Sequence, residues 1–335
     1  MSGECAAQNT PQRILDLNGK KFSIGLSSFL SYAEYKILFE KWAGYIDCIY
    51  FSPPGPNFQT RHQLYSNLAD VDKFIVSILN LAKAYNIKQE LALNNECLTY
   101  KDIVIAKTYV VLHGIYPDVV VCNAEFIDWV SRAFPETPKR LSVRSMVRSR
   151  QAVDRVDRRY SEIVMGTGAI KNPALWKYAK ESGFKVRVLL NSACDFNCPK
   201  CPVTCNERYA EYDQKMGINN HYALTSILPG EFKLYYANNR YIDNFKLDTR
   251  NFRLDYIAYC LGSYLCGDEK AMYGGRRDGK AAEPLIYAKG SDVYALWGAH
   301  SRPENRPLLD YAEIIRFKEK YWRKIWKDEY AIPAA

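Results

Sequence analysis

The stretch Lys185–Cys205, KVRVLLNSACDFNCPKCPVTC, joins two signals that organise the rest of the chain. Its first part, Lys185–Asn191, carries the short apolar run Val186–Leu190, which reads as a buried strand. A run this short, rich in branched residues and bounded by polar ones, suits a strand better than a helix. Its second part holds Cys194, Cys198, Cys201 and Cys205 within twelve residues. Pro199 and Pro202 stiffen this loop without blocking it. Thiolates this close can surround one soft metal centre, and both zinc and an iron–sulfur cluster accept four of them. Structural zinc sites more often pair two separated Cys-x-x-Cys knuckles, so the single run with mixed spacing points to a [4Fe–4S] cluster, with zinc as the alternative.

Working outward, seven further runs read as strands: Lys21–Ser28, Ile46–Ser52, Gln89–Asn94, Asp118–Asn123, Leu141–Met146, Glu162–Gly166 and Asn244–Arg250. Most are separated by stretches of helical pattern, among them Tyr32–Ala43, Ala69–Tyr85 and Pro173–Glu181. Alternation of this kind marks parallel strands with crossover helices. Eight strands predict an α/β fold, a closed (β/α)8 barrel of the TIM type. A doubly wound sheet is the alternative, weakened because no Gly-rich phosphate fingerprint opens the first helix.

The expected organisation is a disordered leader over 1–20 and a barrel over 21–266 with a cysteine-loop insertion at 192–243. A C-terminal part, 267–335, then carries a loop or lid and the amphipathic helix Pro307–Tyr330, with Trp322 and Trp326 on one face. No window is long and apolar enough to span a membrane, and the N-terminus lacks the apolar core of a signal peptide. Ten cysteines in 335 residues are too sparse for a disulfide scaffold and fit a reducing, cytoplasmic setting. Cys48 and Cys122 lie in apolar runs and read as inert core thiols. The 26 tyrosines form no stripe among basic residues and read as packing.

Barrel active sites lie at the C-terminal strand ends. Those ends supply Ser27, Ser28, Ser52, Asn94, Asn95, Asn123, Glu125, Arg144, Gly166, Asn191, Asp248 and Arg250, and the cysteine loop leaves strand seven at the same end. Glu125 and Asp248 are candidate acid–base carboxylates; the alternative is that they neutralise Arg144 and Arg250. A peptidase needs an activated nucleophile or an open metal position. None of the four histidines stands in such a motif. His221, after the cysteine loop, is the candidate for proton transfer, and His113 reads as a core residue. Net charge is +9, and Arg140–Arg159 holds seven arginines against two aspartates. That segment reads either as a phosphate or RNA contact or as a solvated face in which Asp154 and Asp157 pair locally.

In order along the chain come Asn191-x-x-Cys194-x-x-x-Cys198-Pro199, the turn Pro229-x-Glu231, and Phe245-Lys246-Leu247-x-x-Arg250. This resembles the collagenase-like peptidase family (peptidase family U, number thirty-two). The resemblance implies a barrel carrying a [4Fe–4S] cluster and a part in oxygen-independent hydroxylation of ubiquinone precursors or RNA bases. The substrate is not carried over from the family: Asn123, Arg144, Asn191 and Arg250 are read from the strand ends as the residues that hold an anionic small molecule or RNA, and an electron-donor protein is the expected partner. Two features depart from the family. Asp248-Thr249 stands where Glu-Gly is usual, and the four cysteines lie together rather than spread along the chain.

The first three cysteines also match the Cys-x-x-x-Cys-x-x-Cys loop of radical S-adenosylmethionine enzymes. Against that reading, the loop follows the seventh strand rather than the first. Lys200 replaces the usual aromatic residue, and Cys205 offers a fourth thiolate that would close the open iron. A non-catalytic accessory protein stapled by a structural metal is the third reading.

Overall fold

The structure is a computed structural model that describes residues 14–58, 68–166, 169–191, 227, 229–250 and 254–267. Eight strands alternate with helices: β1 (Phe22–Gly25), α1 (Tyr32–Trp42), β2 (Ile46–Phe51), α2 (Val71–Ala84), β3 (Lys88–Leu93) and α3 (Tyr100–Leu112). Then come β4 (Val119–Cys122), α4 (Ile127–Ala133), β5 (Lys139–Leu141), α5 (Arg150–Asp154), β6 (Tyr160–Met165), α6 (Pro173–Glu181) and β7 (Lys185–Leu189). A short α7 (Pro229–Glu231) continues as a π turn through Tyr236, followed by β8 (Asn244–Lys246) and α8 (Leu254–Cys266). The strands form a closed barrel in chain order, all parallel, with β8 returning to β1 through Phe22↔Phe245 and Ser23↔Lys246. The (β/α)8 architecture expected from the alternation is therefore present.

Period-two alternation splits the interior in two. Outward residues such as Ile24, Ile49, Leu91, Val120, Ile163 and Val188 join the helices in one continuous apolar shell. Phe22, Phe232, Phe245 and Tyr264 lock α8 and the π turn after α7 onto β1 and β8, with ring centroids 4.7–6.3 Å apart. Inward positions differ: they include Cys48, Tyr50, Glu90, Arg140, Glu162, Arg187 and Lys246, all buried. Barrels usually fill this lumen with branched aliphatic layers. Here it holds charges.

Helix starts follow local chemistry. Ser31 with Glu34 and Thr99 with Asp102 form capping boxes on α1 and α3, and Asn172 caps α6 ahead of Pro173. From Ile14 the chain runs along the barrel base, where Leu17 is buried and the Leu15 amide donates to the Leu265 carbonyl at 2.7 Å.

β5 and β8 stop furthest short of their expected ends. The expected strand Leu141–Met146 stops at Leu141, because the Ser142 hydroxyl accepts from the Arg144 amide and opens a 3-10 turn, Val143–Ser145. Met146 closes it with φ 55°. The turn packs against Gly166, where an added Cβ would come within 1.8 Å of Val143. The expected strand Asn244–Arg250 stops at Lys246, since side chains take over its backbone groups. The Asn191 amide brackets Asp248 with bonds of 2.7 and 2.9 Å, and the Tyr50 hydroxyl donates to the Leu247 carbonyl at 2.7 Å.

Candidate active site

The lumen charges form one connected network. Arg187, fully buried on β7, donates to Asp47 on β2 at 2.6 Å and to Glu162 on β6. Arg140 on β5 reaches Asp47 at 3.3 Å, Glu162 at 2.8 Å, and Glu90 on β3. Lys246 on β8 lies 3.9 Å from the other Glu90 oxygen. At the base, Lys88 reaches Asp47 at 3.2 Å from the rim of a cleft of about 360 Å³. Three carboxylates thus face three buried cations and one at the rim, as burial of charge requires.

Burial alone would raise the Glu90 carboxyl, but Arg140, Lys246 and Arg187 outweigh it and hold it down at about 2. Asp47 is held still lower by Arg187 and Arg140 against the same burial. Cys48 sits within 3.4–3.5 Å of Glu90, Arg140 and Arg187. Burial, with Glu90 beside it, pushes its thiol up to about 11, so it is inert as a nucleophile at neutral pH. Burial likewise pushes Cys122 up to about 12. Both thiols behave as the sequence suggested, although Cys48 is surrounded by ions rather than hydrocarbon.

Above this layer lies the C-terminal mouth. Tyr50 forms its floor, with the Lys246 amine 4.1 Å and the Arg250 guanidinium 5.5 Å from its ring centroid. Gly25 is what admits Arg250: a Cβ there would lie 2.3 Å from Arg250 Cγ and 2.9 Å from the Tyr50 ring. Thr249 anchors the same corner, its hydroxyl accepting from the Gly25 amide at 2.7 Å. Arg250 lies 4.0 Å from Asp248, whose carboxylate is half exposed.

Across the mouth, the Asn123 amide donates to the Asn94 carbonyl at 3.3 Å and to Glu125 at 3.2 Å. Asn123 Oδ1 is buried and has no hydrogen-bond partner among the described residues. Such an acceptor suits a ligand's N–H or O–H group. Glu125 is exposed at the mouth.

The structure therefore brings Asn123 and Glu125 together on one side, and Asn191, Asp248 and Arg250 on the other. Of the expected neutralising pairs, Arg250 with Asp248 is present. Arg144 pairs instead with Glu96, from the loop after β3, because the 3-10 turn carries it toward that loop. His113 caps α3 beside Asp72 at 3.9 Å, partly exposed rather than in the core. Cys194, Cys198, Cys201, Cys205 and His221 lie outside the described residues. Among the described residues no three His, Cys, Asp or Glu side chains could hold a metal ion.

Sequence reading gave no site role to Glu96, Tyr50, Thr249 and Lys246. Glu96 was signalled by its place in the polar tail Asn94-Asn95-Glu96, and Lys246 by a charge at an alternate position within an apolar run. The arginines of 140–159 disperse. Arg140 enters the lumen, Arg144 meets Glu96, Arg150 stacks on Tyr178, and Arg159 pairs with Asp157 and Asp128. Asp154 bonds Tyr178 rather than an arginine. This distribution favours the structural reading of the segment over a phosphate-binding stripe.

The fold and mouth together define the chain as a parallel eight-stranded barrel protein with a polar, cation-bearing mouth. No family model matches it, and no curated protein matches it. Solved structures with a similar trace include the U32 peptidase Mk0906, at 11% identity and TM-score 0.44 over 74% of this chain and 98% of that one. CpGH84B is similar at 13% identity and TM-score 0.43, over 93% of this chain and 59% of that one. Deoxyribose phosphate aldolase from Aeropyrum pernix gives 12% identity and TM-score 0.35, over 51% and 76%. The barrel assignment rests on the strand pairing itself. No helix among the described residues is long and apolar enough to cross a membrane.

Proposed function

We propose that the chain is an iron–sulfur barrel enzyme that carries out a redox modification, of the oxygen-independent hydroxylation type, on an anionic small molecule or an RNA base. The observation that carries this reading is the Asn191 bracket. A fully buried asparagine ties the exit of β7 to the exit of β8 beside Arg250, and the cysteine run begins three residues further along the sequence. The donor set fits the group: four thiolates suit a [4Fe–4S] cluster or zinc, and the reading takes the cluster. When bound, a cluster supplies one-electron chemistry.

The chain's own residues supply the rest. Arg250, supported on Tyr50, offers a fixed positive charge for an anionic substrate. Asn123 Oδ1 offers an acceptor for a substrate N–H or O–H. Asp248 and Glu125 stand at the rim as carboxylates able to exchange protons. An electron-donor protein would supply the electrons.

The test is anaerobic purification with iron, sulfide and zinc analysis and an absorption spectrum before and after dithionite. About four iron and four sulfide per chain, with a broad visible band that bleaches, is the expected result. One zinc per chain and no visible band would leave a barrel stapled by a structural metal and would remove the redox reading. The radical S-adenosylmethionine alternative is separated by Cys205→Ala, which should keep its cluster and bind that cofactor better only under the alternative.

A further inference from the structure

The lumen holds one cation more than its acids require. Asp47, Glu90 and Glu162 are matched by Arg187, Arg140 and the rim residue Lys88, which leaves Lys246 in surplus. Guanidinium groups do not give up their proton in proteins, whereas a lysine does. Of the three buried cations, Lys246 alone can therefore relieve the excess by turning into a neutral amine.

Its position makes that amine useful. Lys246 points inward from β8 and lies against the Tyr50 ring that also supports Arg250 at the mouth. Its side chain keeps 8% of its surface exposed, whereas Arg187 keeps none. Charged and titratable groups face it from several elements: Glu90 from β3, Cys48 and Tyr50 from β2, Arg187 from β7, and Arg250 from the loop after β8. Burial draws the Lys246 ammonium below the usual lysine range; Glu90 opposes this, and Arg250 and Arg187 add to it. A desolvated lysine beside other cations is the arrangement that activates an amine toward carbonyl groups.

We propose that Lys246 is a nucleophile for an α-oxo acid entering at the barrel mouth, with Arg250 holding the carboxylate. The lone pair on Nζ adds to the carbonyl carbon. The amine proton passes to the carbonyl oxygen, the resulting carbinolamine loses water, and a C=N bond replaces the C=O bond. The redox state is unchanged, and no metal takes part. This activity goes beyond the iron–sulfur reading and does not depend on it.

The experiment is reductive trapping on the full chain, with pyruvate as probe and sodium cyanoborohydride as hydride donor, followed by proteolysis and peptide mass mapping. The expected result is one reduced adduct concentrated on the peptide holding Lys246 and saturating with pyruvate. It should be lost in Lys246→Met and need roughly tenfold more pyruvate in Arg250→Met, as for a lost charge-assisted contact. Adducts spread over exposed lysines such as Lys88 and Lys185, with none enriched at Lys246, would overturn the proposal. That comparison is made within the wild-type protein, so it stands even where a variant fails to fold. Running the trapping with and without prior iron chelation separates this proposal from the redox reading, since labelling should be indifferent to iron.

Discussion

At the scale of single residues, the most consequential side chain is Arg187. It is fully buried and holds two carboxylates, Asp47 and Glu162, that face it from different strands. Arg187→Met would leave Asp47 and Glu162 with one buried guanidinium, Arg140, in place of two. Breaking a buried pair from one side costs about 3–5 kcal/mol, because a charge is stranded in low dielectric. Lys246→Met should cost far less, since Arg140 still holds Glu90. Urea unfolding of the two variants checks this, and equal losses would show that Lys246 is not the surplus cation. The sequence carried the signal for this network in KVRVLLN, QELALN, EIVMG and NFKLDTR, apolar runs interrupted by the charges Arg187, Glu90, Glu162 and Lys246 at inward positions. Periodicity shows that such a residue lies on the opposite face from its apolar neighbours. It does not show whether that face meets solvent or a lumen. Arg140 was missed for the same reason, read as one arginine of a basic segment.

At the scale of elements, the eight strands and most crossover helices were legible because each depends on a local pattern. Helix Pro173–Glu181 falls at the expected residues, since Asn172-Pro173 and apolar spacing specify it locally. The ends of β5 and β8 were not legible, because side chains distant in sequence decide them. Ser142 and Gly166 shape the first, and Asn191 and Tyr50 the second. The Asn191 bracket gives a prediction at this scale. Asn191→Ala removes an acceptor for the Asp248 amide and a donor to its carbonyl, both part-buried. The expected cost is roughly 1–3 kcal/mol in stability for backbone groups left without partners. The strand exits should also loosen, and the variant should retain less metal per chain than the wild type after gel filtration. Metal content unchanged at a lowered melting temperature would mean that the bracket serves the fold alone.

At the scale of the whole molecule, the charged lumen makes stability depend on pH in a defined direction. Glu90 titrates at about 2 in the fold against 4.5 for an unperturbed glutamate, and Asp47 is depressed below its ordinary 3.8. In the unfolded chain both carboxylates therefore take up protons first as acid is added. Their contribution is complete above about pH 4.5 and is lost as the pH falls toward 2. Lys246 works at the other end: its lowered value makes stability rise as the pH climbs toward 10.5, so it leaves the acid limb untouched. Exposed pairs such as Lys36 with Glu40 also weaken in acid, but they are screened by salt, whereas a buried network is not. Melting temperatures measured from pH 7 to 2.5 in high salt should thus hold steady at first and then fall steeply below about pH 4.5. Glu90→Gln should start from a lower plateau and fall less steeply, having one depressed carboxyl fewer to protonate. A profile that stays flat down to pH 2.5 would mean that the lumen carboxylates bind protons alike in both states. The barrel would then owe its stability to the apolar shell between strands and helices, with the ions contributing orientation at the mouth rather than free energy of folding.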